Sequence, residues 1–310
     1  MKENRSNLAS LGMTALAPIA WGTTYLTITE LLPAGVPLSV AVARVVPAGV
    51  ALLLVARLVS PWRPRGGEWR QTFLIGLCNF GIFFPLLTVA VYRLPGGVAA
   101  AAGGLGPILV ALLSWAIVKR RPTRREWVIG VVAASGVGMV VVRPGAHLDL
   151  VGVAAAVAAN VAFATAVVLT KRAPAPPNRL AATGWQLLSG GAVMVPLALV
   201  VDGVPPAVST SNLLGFLWLS LGCTAAAFVV WFEGIRRLPP AAPPLLALAA
   251  PITGAALGWM MLGESLSVVQ LVGFAVTIGA IAAGTRPLPA LAPLLPLPQA
   301  VQAAMACRPS

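Results

Sequence analysis

Long apolar runs alternate with short polar and basic punctuation along the whole chain. A helix needs about 20 apolar residues to cross the hydrocarbon core of a bilayer. Ten stretches reach or approach that length: Leu8 to Leu32, Pro37 to Leu58, Thr72 to Tyr92, Pro95 to Val118, Trp127 to Val142, Leu148 to Thr170, Leu180 to Val201, Leu213 to Ile235, Ala241 to Leu262, and Val268 to Thr285. The fifth is the shortest and counts as a span because Trp127 and Arg143 stand at its ends as interfacial anchors. The pattern predicts an all-α integral membrane protein with ten transmembrane helices. The run after MKENRSN is too long for the apolar core of a signal peptide and nine spans follow it, so it reads as the first transmembrane helix. Prolines at 287, 289, 293, 296 and 298 prevent an eleventh helix, so residues 286–310 are expected to form a Pro-rich cytoplasmic tail.

Charge fixes a topology onto these spans. The 310 residues are 58% hydrophobic and 9% charged, with 21 Lys+Arg against 8 Asp+Glu and a net charge of +13. That apolar surplus excludes a soluble enzyme, a nucleic-acid binder and a disordered chain. If the N-terminus is cytoplasmic, 18 of the cations fall in cytoplasmic segments, only Arg93 and Arg143 fall outside, and Arg44 lies within a span. Positive charge concentrates on the cytoplasmic side of membrane proteins. The expectation is therefore a multi-pass protein of the inner or plasma membrane with both termini cytoplasmic, whose cations record insertion and not a polyanionic partner.

The chain also repeats itself. YRLPGGVAAAAGGLGPILVALLSW (Tyr92 to Trp115) aligns with RRLPPAAPPLLALAAPITGAALGW (Arg236 to Trp259) at a constant offset of 144, matching Arg93 with Arg237, Pro95 with Pro239, Pro107 with Pro251 and Trp115 with Trp259. Near an offset of 142, Arg44 matches Gln186 and Gly49 matches Gly191. Residues 1–144 and 145–285 thus read as two five-helix repeats. Five is odd, so the second repeat is inverted, the arrangement from which alternating-access carriers are built.

Candidate site residues follow from that reading. Pro107 and Pro251 lie centrally in corresponding spans, each freeing the carbonyl four residues back, and interrupted helices at matched positions point to a transporter's site. Arg44 is a costly charge within a span, poised between function and snorkelling toward Glu30. Glu233, an acid inside a span, sits beside Arg236 and Arg237 and suits an ion pair better than proton coupling. Trp21, Tyr25, Asn79, Asn160, Gln186 and Trp231 supply polar edges or aromatic faces, each of which packing alone could also explain. Together they describe a weakly polar, aromatic cavity for an uncharged or zwitterionic organic solute. Capping boxes at Thr123/Glu126 and Ser267/Gln270 mark helix starts. The small-residue spacings Ala134/Gly138 and Gly279/Ala283 favour close packing of the fifth and tenth helices, within the fold or in a homodimer. Cys78, Cys223 and Cys307 are too scattered for a disulfide or a metal, His147 is the only histidine, and no GxxxxGK[ST] loop is present, so no metal, cofactor or direct ATP drive is expected.

The strings WGTTYLTITELLP, ARVVPAG, RLPGGVAAAAGGLGP and ITGAALGWMMLGESLSVVQLVGFAVTIGAI resemble the EamA family of the drug/metabolite transporter superfamily, from about residue 9 to 285. The first string and YRLPGGVAA are most similar to its PecM-like branch of pigment (indigoidine) exporters. The resemblance implies an inner-membrane secondary carrier of small molecules, usually an exporter, with helices 1–4 and 6–9 around a cavity braced by helices 5 and 10. A passive channel, a membrane enzyme and a non-transporting scaffold or sensor are the alternatives.

Overall fold

A computed structural model describes residues 2–33, 35–94, 102–141, 149–204, 207–239, 241–262 and 267–285. The expectations for Arg143, His147, Cys307 and the Pro-rich tail lie outside these residues, as does the side chain of Tyr25. The described residues are helical, with no strand among them: α1 (Lys2–Gly22), α2 (Thr24–Leu31), α3 (Pro37–Val59), α4 (Gly67–Arg93), α5 (Gly106–Val118), α6 (Arg124–Val141), α7 (Leu150–Arg172), α8 (Arg179–Val201), α9 (Thr210–Arg237), α10 (Ala242–Leu246), α11 (Ala249–Leu262) and α12 (Val268–Thr285). Seven helical stretches are long and apolar enough to cross a bilayer: α3, α4, α7, α8, α9, α10 with α11, and α12. Their outward faces carry exposed Leu54, Val55, Val161, Leu199, Leu271 and Ile278, which lipid covers and water would not tolerate as a continuous surface.

Local chemistry sets the helix starts. Both expected capping boxes form, with Glu126 accepting from the Thr123 backbone N–H and Gln270 from that of Ser267. Asp149 and Asn178 cap α7 and α8, and Ser209 with Asn212 makes a third box at α9.

Five departures from regular helix define the interior. The first expected span breaks at Thr23, whose hydroxyl donates to the Ala20 carbonyl. α4 and α9 contain wider π-helical turns at Leu77–Ile82 and Trp218–Ala226. A 3₁₀ turn at Ala102–Leu105 precedes α5, and a break at 247–248 separates α10 from α11. Pro107 and Pro251 therefore do not kink continuous helices. Each sits in the first turn of a helix that restarts, where the missing N–H costs nothing.

α3 packs along α8 and α6 along α12; the Phe83–Arg93 part of α4 lies on α7, and the Ala227–Arg237 part of α9 lies on α1. Since lipid is as apolar as leucine, such contacts depend on close approach at small residues. An added Cβ on Gly190 would stand 2.5 Å from that of Phe80, and one on Gly273 would stand 2.7 Å from the Gly136 carbonyl oxygen. The α6–α12 seam runs through Gly136, Gly273 and Thr277. Gly138 and Gly279, singled out from the sequence, face open space.

One core, around Phe80, Phe84, Leu187, Phe228 and Trp231, fills the centre, and a smaller one, around Ala133, Val137, Leu248 and Ala280, lies inside the α6–α12 seam. At one end of the bundle Lys171 donates to the carbonyls of Arg236 and Leu238, and Asn178 donates to that of Ser60. We call it the basic end. At the opposite end the Tyr92 hydroxyl donates to the Pro33 carbonyl, and the Ser39 N–H donates to Asp202 at 2.6 Å.

Candidate functional site

The helix irregularities converge on one cavity of about 120 Å³. α1 and α2 bring Trp21, Thr24 and Ile28 to its wall, a spacing that places them on one face. α3 brings Val40, Ala41 and Arg44, and α4 brings Phe83, Phe84, Leu87 and Thr88. α7 contributes Asn160 and Phe163. The two restarting helices supply Gly103 and Gly106 on one side and Ala247, Ala250 and Pro251 on the other.

The π-helical turn of α9 anchors the polar part of this wall. A π turn shifts the hydrogen-bond register by one residue, and such turns concentrate at functional sites. The Ala227 N–H reaches back to Gly222, and the Cys223 carbonyl accepts side-chain bonds, from Trp21 Nε1 at 2.9 Å and from Arg44 at 3.4 Å. Arg44 Nε donates to the Thr224 hydroxyl at 2.7 Å, and that hydroxyl donates to the Leu219 carbonyl. The guanidinium lies 4.3 Å from the centre of the Phe84 ring, a cation–π distance. Arg44 is 4% exposed. It is held inside the bundle and does not snorkel toward the interface.

Aromatic rings line and back the cavity. Trp21 packs edge-on against Phe163 and Trp231, with ring centres 6.0 and 5.0 Å away. Trp231 is fully buried behind that wall. Asn160 is on the wall and donates back to the Ala156 carbonyl at 2.8 Å. Thr24, which sequence reasoning did not single out, is 5% exposed, and its hydroxyl has no hydrogen-bond partner among the described residues.

The other expected residues lie elsewhere. Asn79 is buried in the π-helical turn of α4. Gln186, the repeat counterpart of Arg44, borders a small space shared with Trp62, Glu68 and Arg236. Pro107 lines a separate cavity of about 310 Å³ between α5, α6 and α12, with Arg120 and Arg125. A third, of about 120 Å³, lies beside Lys171 and Arg172. Val110 borders all three cavities and so separates the central one from the two at the basic end. Glu233 is buried away from the central cavity and clamped by Arg179, at 3.0 Å, and by Arg237.

The model of the EamA-like transporter family matches twice, over residues 8–142 and 150–284. The chain belongs to that family. Protein PecM of Dickeya dadantii is 38% identical over 259 residues, covering 83% of this chain and 86% of PecM. An uncharacterized transporter of Bacillus subtilis, YwfM, is 28% identical and shares 87% of this chain and 91% of its own. The uncharacterized inner membrane transporter YedA of Escherichia coli K12 is 26% identical over 85% of this chain and 86% of its own. A solved crystal structure superposes with a TM-score of 0.75 at 18% identity, over 89% of this chain and 98% of that one, which shows a shared fold. In this EamA-like member the groups clustered at the centre are aromatic rings, hydroxyls and one guanidinium. Among the described residues no three His, Cys, Asp or Glu side chains gather as a metal site would require.

Proposed function

We propose that this EamA-like protein is a secondary transporter that exports small organic metabolites or drug-like solutes across the inner or plasma membrane by alternating access between two inverted five-helix repeats. Both termini are cytoplasmic in this reading, and the basic end faces the cytoplasm. One observation carries it: the helix interruptions at 102–105 and 247–248 fall at matched positions of the two halves, offset by 144, and both border the central cavity. Broken helices paired in this way are how transporters expose backbone to a solute.

The helix pairings support the same reading. Exchanging the halves turns the contact of α4 with α7 into that of α9 with α1, and the contact of α5 with α7 into that of α11 with α1, while α3–α8 and α6–α12 map onto themselves. The π-helical turns of α4 and α9 correspond too, and the family model matches each half once. With Val110 closing the basic end, the cavity approaches the opposite face through Ile28, Val40 and Val91. Exchange of the repeats' conformations would open it to the other side. Trp21, Arg44, Asn160 and Pro251 form the solute site; Glu233, held by two arginines, is a structural clamp.

The test is counterflow in proteoliposomes, with candidate solutes taken from metabolite profiling of medium with and without overexpression. Saturable exchange is expected, and non-saturating flux would replace the carrier with a channel. Flux that ignores an imposed pH gradient and survives Glu233→Gln would remove proton coupling.

A further inference from the structure

We infer that Asn160 sets the specificity of the central cavity: its side-chain oxygen, with the hydroxyl oxygens of Thr24 and Thr88, accepts N–H or O–H groups from the solute. The cavity then takes organic solutes that bring hydrogen-bond donors and rejects their N- or O-methylated analogues. The inference rests on the transport site proposed above and narrows its cargo to solutes with a donor to give.

The direction of recognition follows from which polar groups of the wall are already engaged. Its uncharged polar side chains, among the described residues, are Trp21, Thr24, Thr88 and Asn160. An indole has one donor and no acceptor, and that of Trp21 goes to the Cys223 carbonyl at 2.9 Å. The Thr88 hydroxyl gives its single proton to the Phe84 carbonyl at 2.7 Å, which leaves it lone pairs only. Asn160 is 8% exposed, and one amide N–H donates to the Ala156 carbonyl at 2.8 Å. That bond fixes which arm of the carboxamide is nitrogen, since an oxygen could not donate there. The other arm, the side-chain oxygen, has no partner among the described residues.

Thr24 is left open for a structural reason. A threonine hydroxyl in a helix ordinarily donates to the carbonyl four residues back. Here that is Ala20, whose carbonyl already accepts from the Thr23 hydroxyl at 2.7 Å and from the Cys223 thiol at 3.2 Å. The Thr24 hydroxyl is buried on the wall and has no partner among the described residues. These uncharged groups therefore leave three oxygens open against two protons, that of Thr24 and the second N–H of Asn160. Around them the wall is apolar, with Phe83, Leu87, Phe163 and Phe228. A methylated analogue fits such a surface as well as its parent does, yet it leaves buried oxygens unpaired, which is how hydrogen-bonding sites reject it.

The experiment is equilibrium binding of radiolabelled benzamide to the full chain in lipid nanodiscs. The competitors are neutral pairs that differ in the donor: benzamide against N,N-dimethylbenzamide, indole against 1-methylindole, and phenol against anisole. One lost hydrogen bond in a buried site predicts that each donor competes about tenfold better than its methylated partner. The carbon-methylated controls 4-methylbenzamide and 2-methylindole should compete like their parents. Asn160→Leu, of similar size, should reduce the preference to about twofold, and Thr24→Val should weaken benzamide about threefold and leave N,N-dimethylbenzamide unchanged. Should Asn160→Leu fail to elute as a single folded species, Asn160→Ala takes its place in the same comparison. No saturable binding of benzamide, equal competition within the pairs, carbon methylation as costly as methylation of the donor, or a preference that survives the Asn160 substitution overturns the inference. Unchanged benzamide binding in Thr24→Val would remove Thr24 from the site. Counterflow separates the inference from the transport reading: Asn160-dependent binding without exchange would sink transport and leave the donor site, and saturable exchange blind to methylation would do the reverse.

Discussion

The α6–α12 seam and the wall of the central cavity are built by opposite means. Along the seam, two regular helices with capping boxes at their starts meet at Gly136 and Gly273, so closely that a Cβ on Gly273 would fall 2.7 Å from a backbone oxygen. At the cavity, the helices break at Thr23, Ala102–Leu105 and 247–248 or widen into a π turn, and buried polar groups fill the gaps. Regular helix satisfies every backbone group internally, as a lipid-facing brace requires. A site must release some of those groups, and in α9 the Cys223 carbonyl is free to hold Trp21 and Arg44. The seam therefore depends on shape, the cavity on polar complementarity.

Substitution in the seam should give the largest effect. Gly273→Leu forces a side chain against the Gly136 backbone and should cost about 3 kcal/mol, the upper part of the range for overpacking, read as a lowered melting temperature in detergent. Gly279→Leu, six residues along the same helix, points an added Cβ into open space and should change little. Equal losses at the two positions would show that the seam is not held by close approach at Gly273.

On the cavity side the matching test changes polarity and keeps shape. Thr224→Val removes the oxygen that accepts from Arg44 Nε and the donor to the Leu219 carbonyl. Stripping one partner from a buried charged group costs about 2 kcal/mol, and solute binding should fall with stability. The same Thr-to-Val change at Thr285, whose hydroxyl donates within its own helix to Ile281, should be near neutral. A small loss at Thr224 would mean that the π turn orients Arg44 without this bond.

The sequence made the seam and the cavity legible to different degrees. Apolar runs placed α3, α7, α8 and α12 to within two residues at each end, and Thr123/Glu126 and Ser267/Gln270 announced the caps of α6 and α12, because these are local patterns. The paired interruptions were visible through Pro107 and Pro251, but the breaks lie just before them, at residues 102–105 and 247–248, because proline suits the first turn of the helix that follows. Arg44 and Trp21 were legible as a charge and a polar-edged ring in apolar surroundings. The π turns were not, since a register shift of one residue leaves composition and periodicity almost unchanged. Thr24 was hidden for a related reason: hydroxyls in membrane helices usually bond back to their own turn, as Thr27 and Thr88 do, and only the fold shows that Thr24 does not. Asn79, Gln186 and Trp231 carry polar atoms in the right zone, yet which side of a helix faces the cavity depends on partners more than a hundred residues away.

The start of the α12 brace gives a smaller effect. Ser267→Ala removes the cap oxygen that accepts from the Gln270 N–H and should cost about 1 kcal/mol. Gln270→Ala should cost more, since its amide also donates to the Val140 carbonyl of α6 and so links the cap to the seam. If the two variants melt alike, the cap acts on α12 alone.

The smallest effect expected is one of pH, at the start of α6. Burial alone would raise the Glu126 carboxyl, but the bonds from Arg120, at 2.6 Å, and from the Thr123 backbone N–H, at 2.8 Å, outweigh it and hold the carboxyl below its ordinary value. Above about pH 4.3, the ordinary glutamate value, Glu126 is ionised whether the chain is folded or not, and its contribution to stability is complete. As pH falls further, the unfolded chain takes up the proton first, and the contribution is lost as pH drops through the lowered folded value. Because the pair is partly open to solvent, the total should stay below about 1 kcal/mol. The melting-temperature gap between wild type and Glu126→Gln should therefore be widest near neutral pH and should narrow as pH falls below about 4.3. A gap that does not narrow on acidification would mean that Glu126 supports α6 through hydrogen-bond geometry alone, as the neutral Gln270 does for α12, and the two braced helices would then start by one mechanism.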